Sequence, residues 1–320
     1  MTNRCTVIIP YYQRQPGILA RALKSVFAQA YQDFDVIVVD DQSPAPVESE
    51  LEGFPLDIRA RVSVIKQPNA GPGGARNMGL DHVGADSRYV AFLDSDDEWT
   101  PNHLSDAVAG LSRFDADCYW ASIGGGDEFY YHFGVEELAQ TADVRRLSEE
   151  PPLVEVTDLA GAMLKNWSFL HLSAMVIGES LFRTIRFEAA LRLAAEDVLF
   201  FYDCVRAARR VILSEAVGAT RGEGINIFHG MGSDSPQFLK QQFNTWVALD
   251  RLEGRFPHGP EDRASIEHYK QTARQQAIWG QMRLVRSRKM PQIGQLAAWA
   301  WRDPKLLQSA MQLAVNKIAR

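Results

Sequence analysis

Short apolar runs alternate with helical periodicities over the first hundred residues. Residues 7–9 form a continuous apolar run, and apolar residues then recur at helical spacing from Ile18 to Phe27. Three further apolar runs cover residues 34–39, 62–65 and 89–93. A helical pattern from the glycines after position 70 to about Gly84 separates the last two. Near-continuous apolar strands linked by helices predict an α/β fold with a mostly parallel, Rossmann-like sheet covered on both faces.

The remaining pattern divides the chain. Residues 115–195 are less regular, with strands expected at 117–121 and 170–177, and a helix follows from about 196 to 210. After residue 234 the pattern is helical, with interruptions near 257–260, 291 and 304. We therefore predict a first domain over residues 1–232, with halves at 1–115 and 116–232, and a helical C-terminal extension over residues 233–320.

The end of the C-terminal extension differs from the other residues of the chain in its net charge. Residues 270–320 contain ten Lys or Arg and one acid, Asp303, a net charge of +9. Since the whole chain carries −6, the other residues carry −15. The acidic part argues against nucleic-acid binding, whereas the basic end suits phosphate groups or an anionic membrane.

The spacing of the cysteines and the lengths of the apolar runs indicate the cellular compartment. Cys5, Cys118 and Cys204 are odd in number and widely spaced, so neither a disulfide framework nor a thiolate zinc site is expected. Each lies in an apolar run, where buried thiols are common. We find no signal-peptide pattern and no apolar run near the ~20 residues of a membrane span. These patterns predict a cytoplasmic protein that is neither exported nor integral to a membrane.

An acidic run carries the strongest local chemistry. The residues Asp94, Ser95, Asp96 and Asp97 directly follow an apolar strand, and ligands of parallel sheets bind beyond such strand ends. Grouped carboxylates repel one another unless they share a cation. Mg²⁺ or Mn²⁺ on one or two of them would keep open positions for diphosphate oxygens. The alternative is an acidic loop that caps the helix after Pro101.

A glycine-rich segment precedes that strand. Residues 69–77 include Gly71, Gly73 and Gly74, which allow the backbone to approach a ligand closely. Arg76, at the start of the following helix, is placed to meet a diphosphate. The segment lacks the G-x-G-x-x-G spacing and follows the third strand, which argues against a dinucleotide fold.

Four motifs together carry a family resemblance. Residues 7–12, 38–41, 74–79 and 92–99 occur in the order and spacing of family 2 glycosyltransferases with the GT-A fold. An acid pair, Glu196 and Asp197, and a late loop, residues 229–233, match more weakly, the loop with one extra residue. The whole chain, with its helical end, looks most like the glucosyltransferases of succinoglycan biosynthesis. That likeness favours UDP-glucose as donor, a β-1,3 linkage and a lipid-diphosphate-linked oligosaccharide as acceptor.

The resemblance implies a role for each motif residue. Residues 1–115 would be the nucleotide-sugar half and residues 116–232 the acceptor half. The nucleotide-sugar contacts would come from Pro10 and Tyr12 beside the nucleotide, Asp41 on the uracil with Asp40 next to it, Gly74 and Arg76 at the diphosphate, and Asp94 and Ser95 near the ribose or sugar. The metal, Mn²⁺ or Mg²⁺, would be bound by Asp96 with Asp94, and Asp97 is an alternative because the acidic run leaves the register ambiguous. His229 is a metal ligand, a diphosphate donor or an ordinary loop histidine.

The acid pair would carry the chemistry. Asp197 would be the general base that takes the proton of the acceptor hydroxyl as it attacks the anomeric carbon opposite the diphosphate. One such displacement inverts the anomeric centre. Glu196 would position the acceptor. The alternative is that both acids only stabilise the N-terminus of a helix.

Two other functions fit parts of the pattern. A nucleotidyltransferase would place a glycine-rich, basic loop after the first strand, and residues 11–14 do not supply one. A non-catalytic nucleotide-sugar-binding protein would have a degraded acid pair near residue 197, and this pair is intact. Three tryptophans, Trp120, Trp167 and Trp246, could stack on sugars, although core packing is favoured for each.

The basic end suggests further partners. Apolar residues at helical spacing, Trp299 and Trp301 among them, combine there with many basic residues, as in helices that lie on a membrane surface. Peripheral contact with the cytoplasmic face of the inner membrane is one expectation. Packing against the acidic catalytic domain, or against a second copy of the chain, is the other.

Overall fold

The computed structural model describes residues 3–125, 135–140, 142–166, 170–222, 232–233 and 235–318. The chain forms two compact units. The first comprises Met1–Ala189 and Phe200–Ile225, and the second comprises Ala190–Leu199 and Asn226–Arg320. The short segment Ala190–Leu199 therefore groups with the helical end of the chain, which the hydrophobic pattern does not reveal.

The elements follow the predicted alternation closely. The strands are β1 Cys5–Tyr11, β2 Phe34–Asp40, β3 Val62–Lys66, β4 Tyr89–Phe92, β5 Glu98–Trp99, β6 Cys118–Gly124, β7 Val144–Ser148, β8 Leu153–Val156, β9 Met175–Gly178 and β10 Val211–Thr220. The helices are α1 Ile18–Phe27, α2 Val47–Leu51, α3 Leu56–Arg59, α4 Gly71–Asp81, α5 His103–Arg113, α6 Val135–Leu138, α7 Leu159–Lys165, α8 Glu179–Phe182, α9 Glu196–Ala207, α10 Pro236–Arg255, α11 Pro260–Arg286, α12 Ile293–Arg302 and α13 Lys305–Ile318.

In the described residues the strands form one mixed sheet. Its order is β3-β2-β1-β4-β9-β6-β10-β8-β7, and β5 pairs with β10. Strands β3, β2, β1 and β4 are parallel, whereas β9 lies antiparallel between β4 and β6. Strand β10 is parallel to β6. The predicted α/β class is confirmed, with the parallel half formed by the first four apolar runs.

One predicted strand is shorter than its apolar pattern. The strand expected over residues 170–177 begins only at Met175, after a 3₁₀ turn at Leu172–Ala174. The backbone N–H of Ser173 donates to Nδ1 of His171 (3.2 Å), which holds this turn. A polar contact thus overrides the apolar run.

The core of the first unit lies against the parallel strands. Buried residues of β1 and β2 pack with the inner face of α1, whose Leu19, Leu23 and Val26 have no exposed surface. The three cysteines are buried as predicted, and burial raises the pKa of the Cys5 thiol to about 12. Trp120 is also buried, so core packing is confirmed for it.

The second unit has its own small core. It comprises Leu239, Trp246, Ala273, Ala277, Trp299 and Leu306. Beside it, the buried guanidinium of Arg274 binds Asp303 (2.5 Å) and Glu267 (2.8 Å). Trp246 is thus a core residue, whereas Trp167 lies outside the described residues. Among the helices in the described ranges, none combines the length and the apolar character that a membrane crossing requires.

Candidate active site

The predicted nucleotide-binding residues lie at the carboxyl ends of neighbouring parallel strands. Strand β1 lies between β2 and β4. Tyr12 directly follows β1, Asp40 is the last residue of β2 and Asp94 lies two residues after β4, so the three lie at adjacent strand ends. Tyr12 is 37% exposed and can offer its ring to a base. Asp40 is buried, and its carboxylate accepts a hydrogen bond from the Ser43 N–H (2.8 Å). Pro10 is partly exposed within β1.

Asp41 holds the glycine-rich segment in place. Its carboxylate accepts hydrogen bonds from the N–H groups of Ala70 (2.7 Å) and Gly71 (2.9 Å) and from the side chain of Gln67 (2.7 Å). Gly71 has a φ of 79°, a conformation that favours glycine. Asp41 therefore anchors the N-terminus of α4, and its predicted contact with uracil stays a prediction.

Glycines in α4 allow the helix to pack closely against its neighbours, and the approach to a ligand that the sequence suggests stays a prediction. A Cβ on Gly74 would lie 2.6 Å from Cβ of Ala70. Farther along the helix, a Cβ on Gly79 would lie 2.5 Å from Cγ2 of Ile8, so the helix rests directly on β1. The segment is tightly packed rather than an open flexible loop.

Arg76 contacts an acid of the run Asp94–Asp97. Its guanidinium donates to Oδ1 of Asp94 (2.6 Å) and also lies over the ring of Phe187. Arg76 is almost fully buried. Burial opposes ionisation of Asp94, but the positive charges of Arg76 and His171 outweigh it and lower the pKa of the Asp94 carboxyl. The sequence placed Arg76 on the diphosphate, and the structure adds this ion pair.

Three side chains come together as a possible metal site. Ligand atoms of Asp94, Asp97 and His171 all lie within 4.8 Å of one another. Nδ1 of His171 is 3.8 Å from Oδ2 of Asp97. Asp96, the ligand preferred from the sequence, is not in this group. The turn explains the difference, because the Asp97 N–H donates to the Asp94 carbonyl (3.1 Å) and brings the first and fourth residues of the turn together.

His171 is the residue that sequence reasoning missed. It lies 74 positions after Asp97 in the chain, with no spacing that signals a ligand. It enters the group because β9, which it precedes, pairs with β4. A polar His-x-Ser within an apolar run was the one signal available.

Two further residues hold Asp97. The hydroxyl of Ser173 donates to Oδ2 of Asp97 (2.6 Å) and accepts from the Asp94 N–H (3.0 Å). The N–H of Gly222 donates to Oδ1 of Asp97 (3.2 Å). Ser95 is also buried and accepts a hydrogen bond from the Gln13 side chain (3.1 Å). The acidic turn is therefore fixed by neighbours from three other parts of the chain.

The electrostatics of the turn suit a divalent cation. Burial raises the pKa of the Asp96 carboxyl to about 7, and the charges of Asp97 and Asp94 act in the same direction. Burial, followed by the charge of Asp94, also raises the pKa of Asp97 to about 7. Crowded carboxylates need positive charge to ionise together. The donor set of two carboxylates and one imidazole fits such an ion.

The acid pair begins α9. Ala195, just before it, has a φ of 64°, and its carbonyl accepts the Leu199 N–H (3.1 Å). Left-handed backbone at a non-glycine residue is strained and concentrates at functional sites. Glu196 is buried, whereas Asp197 is partly exposed and can meet a substrate. Both acids belong to the second unit, and their catalytic roles stay predictions.

The late histidine loop is only partly described. His229 lies outside the described residues, so its role as a ligand stays a prediction. Ser233, at the end of that motif, contacts the guanidinium of Arg283 on α11.

The family model for glycosyl transferase family 2 matches residues 6–213. The succinoglycan biosynthesis protein ExoW of Rhizobium meliloti (strain 1021) is 62% identical over 317 residues, which cover 99% of each chain. A GalNAc(5)-diNAcBac-PP-undecaprenol β-1,3-glucosyltransferase of Campylobacter jejuni is 35% identical over 103 residues, or 32% of each chain.

Solved structures show the same fold. The S. aureus TarS fragment 1–349 in complex with UDP-GlcNAc has a TM-score of 0.58 and 19% identity, over 86% of this chain and 70% of that one. The mannosyltransferase PcManGT of Pyrobaculum calidifontis, in complex with GDP-Man and Mn²⁺, has a TM-score of 0.55 and 17% identity. The match covers 97% of this chain and 84% of that one. The predicted GT-A fold is confirmed. Together with the matched family model, the strand-end acids and the glycine-rich helix start show that this chain belongs to glycosyltransferase family 2.

Proposed function

We propose that the protein transfers glucose from UDP-glucose, with inversion and in β-1,3 linkage, to a lipid-diphosphate-linked oligosaccharide in succinoglycan-type exopolysaccharide biosynthesis. The end-to-end identity with the Rhizobium meliloti succinoglycan protein supports the biosynthetic role. The Campylobacter jejuni relative, a β-1,3-glucosyltransferase by name, supports the linkage and acceptor class. The observation that carries the chemistry is the group formed by Asp94, Asp97 and His171 at the strand ends.

The donor half would bind the nucleotide sugar through residues at its strand ends. Tyr12 is exposed beside the end of β1 and would border the base. Asp41 would reach uracil through its remaining acceptor capacity while it holds the start of α4. Arg76 keeps Asp94 ionised and positioned, and would also balance the charge of the diphosphate.

The metal would be held by Asp94, Asp97 and His171. When bound, the ion neutralises charge on the leaving diphosphate. A nitrogen donor in the set favours Mn²⁺ over Mg²⁺, because Mg²⁺ prefers oxygen ligands in a strict octahedron. Ser173 and Gly222 keep the Asp97 carboxylate in a single orientation for that purpose.

Catalysis would rest on the acid pair at the start of α9. Asp197 would accept the proton of the acceptor hydroxyl while the oxygen attacks the anomeric carbon from the face opposite UDP. Glu196, which is buried next to it, would orient the acceptor. A single in-line displacement converts an α-linked donor into a β-glycoside.

A transfer assay tests the reaction and the metal together. Purified protein is incubated with UDP-, GDP- and dTDP-sugars and a lipid-diphosphate-linked oligosaccharide, with Mn²⁺, Mg²⁺ or EDTA. We expect UDP-glucose to be used, EDTA to abolish transfer and Mn²⁺ to restore it best. Product NMR should show a β-1,3 bond. Full turnover in EDTA, or an α-linked product, would contradict the proposal.

The proposed base has a separate test. Asp197→Asn should keep UDP-glucose binding, measured by calorimetry, while kcat falls by about 10²–10⁴-fold, the usual contribution of a positioned base. Asp106→Asn is a matched control, because Asp106 is also an acid in the first turn of a helix. Near-normal transfer by Asp197→Asn would show that another residue acts as the base.

A further inference from the structure

The C-terminal helices carry apolar residues on two faces. Leu284, Trp299 and Leu306 are each no more than 3% exposed, and the last two belong to the core of the second unit. Other apolar residues of the same helices and of the turn between them remain exposed. We call this set the tail surface: Trp279, Met282, Val285, Met290, Ile293, Trp301, Leu307 and Met311. The core of the unit therefore uses only part of the apolar residues that the segment contains.

The tail surface stands out from the rest of the described chain. Outside it, the large exposed hydrophobic residues are Tyr12, Leu56 and Val217, which lie far apart in the sequence. Within it, Trp301 is 90% exposed and Met290 is 87% exposed. Trp279, Met282 and Val285 recur every three residues along α11, which places them along one stripe of the helix. A concentration of exposed apolar residues of this kind marks an interaction site.

Charge indicates what the tail surface meets. Residues 279–312 contain six basic residues and a single acid, Asp303. Asp303 is buried and binds Arg274, so it does not offset the exposed positive charge. One of the six, Lys305, pairs with Glu267 (3.1 Å). The cluster Arg286, Arg288 and Lys289 lies between Val285 and Met290, which are both exposed.

We propose that the tail surface docks on the headgroup region of an anionic membrane. Exposed tryptophans and aliphatic side chains enter the interface, while basic residues contact lipid phosphates. A second copy of the chain is disfavoured as the occupant, because two such surfaces would bring like charges together. Among the described helices none could span the bilayer, so the contact is peripheral. The inference rests on the proposed function in one respect, since a lipid-carried acceptor lies at such a surface.

Vesicle co-sedimentation of the full chain tests the inference. Vesicles contain either phosphatidylcholine alone or phosphatidylcholine with phosphatidylglycerol, at low and at high salt. We expect binding to the phosphatidylglycerol vesicles that weakens at high salt. The triple variant Arg286→Gln, Arg288→Gln and Lys289→Gln should bind roughly 100-fold more weakly, because each basic residue near the surface contributes to partition.

Matched controls separate this surface from general charge and hydrophobicity. The variant Lys24→Gln, Arg113→Gln and Lys240→Gln removes the same charge from exposed positions on other helices and should bind far more tightly than the tail triple variant. Leu307→Ala should weaken binding, whereas Leu56→Ala, at another exposed leucine, should not. Trp301→Ala should weaken binding most among the single apolar variants.

Three outcomes would overturn the inference. One is equal failure to bind both kinds of vesicle. Another is equal loss of binding in the tail and control triple variants. The third is a dimer, seen by light scattering, that Trp301→Ala dissociates while vesicle binding is absent. UDP-glucose hydrolysis without vesicles is measured in parallel. If the wild-type protein does not hydrolyse UDP-glucose, the result counts against the proposed function. If it hydrolyses UDP-glucose but does not bind vesicles, the result counts against the docking surface alone.

Discussion

At the scale of single residues, Ser173 connects the segment before β9 to the acidic turn. It is fully buried, and besides its two contacts with the acidic turn, its carbonyl accepts a hydrogen bond from the Trp99 indole (2.6 Å). One small side chain thus joins the segment before β9 to both ends of the turn that carries Asp94 and Asp97. In the proposed metal site it would be a positioning residue, since it would orient the Asp97 carboxylate without binding the metal itself.

Ser173→Ala should weaken metal binding. The substitution leaves Asp97 without its shortest hydrogen bond, so the carboxylate is less well oriented. We expect the affinity for Mn²⁺ in the presence of UDP, measured by calorimetry, to fall about 10-fold or more. Ser180→Ala removes a similar hydroxyl–carboxylate contact, to Asp117 (2.9 Å), and serves as the control. Equal Mn²⁺ affinity in the two variants would show that Ser173 does not position the ligand.

At the scale of elements, the strands deliver supports to the site from distant parts of the sequence. Strand β10 ends at Thr220, and two residues later the N–H of Gly222 donates to Asp97 of the acidic turn. A Cβ on Gly222 would lie 1.7 Å from the backbone oxygen of Asp96, a distance that forces one of the two segments to move. Only glycine permits this approach.

Gly222→Ala should therefore displace the acidic turn. We expect Mn²⁺-dependent UDP binding to weaken by at least 10-fold, and thermal unfolding to shift to lower temperature because of the steric overlap. Gly53→Ala is the control, since a Cβ there has no atom within 4 Å. Unchanged UDP binding in Gly222→Ala would mean that the turn accommodates the new methyl group without moving its ligands.

At the scale of the whole molecule, pH sensitivity should arise from a buried histidine outside the candidate site. His103 is 1% exposed, packs against the rings of Trp99 and Tyr119, and has no hydrogen-bond partner for either ring nitrogen in the described structure. Burial lowers the pKa of His103 to about 3. Below the ordinary histidine pKa of 6.5, His103 is protonated in the unfolded chain, whereas in the folded chain it stays neutral until the pH approaches 3.

The free energy of unfolding should therefore decrease as the pH falls from 6.5 toward 3, by up to about 1.4 kcal/mol per pH unit from this group. His103→Leu should remove that component. Urea unfolding at pH 7.5 and pH 5 measures it as a smaller difference between the two pH values in the variant. His82→Gln, at an exposed histidine, should keep the wild-type difference. An identical pH dependence in His103→Leu and the wild type would contradict the assignment.

The sequence by itself determined the parallel half of the sheet and the polar residues at its strand ends. Its apolar runs are continuous because the strands are buried on both faces, and the polar residues at their ends are local neighbours of those runs. For this reason the acidic run that begins at Asp94 could be assigned to a strand end from the sequence, and Arg76 to the start of the preceding helix, whereas the roles of Tyr12 and Asp41 came from the family resemblance. The helical C-terminal extension and its basic character could also be predicted from the sequence, since helical spacing and charge are local properties.

Only the tertiary structure decided which of these residues act together. His171 and Gly222 reach the acidic turn because β9 and β10 pair with strands far away in sequence, and no periodicity encodes such a pairing. The turn brings Asp97 rather than Asp96 next to Asp94 and His171, through one backbone hydrogen bond. Trp299 and Trp301 share one apolar pattern, yet one is buried and the other is exposed. That choice depends on which face of the helix finds a neighbour, and packing against distant segments decides it.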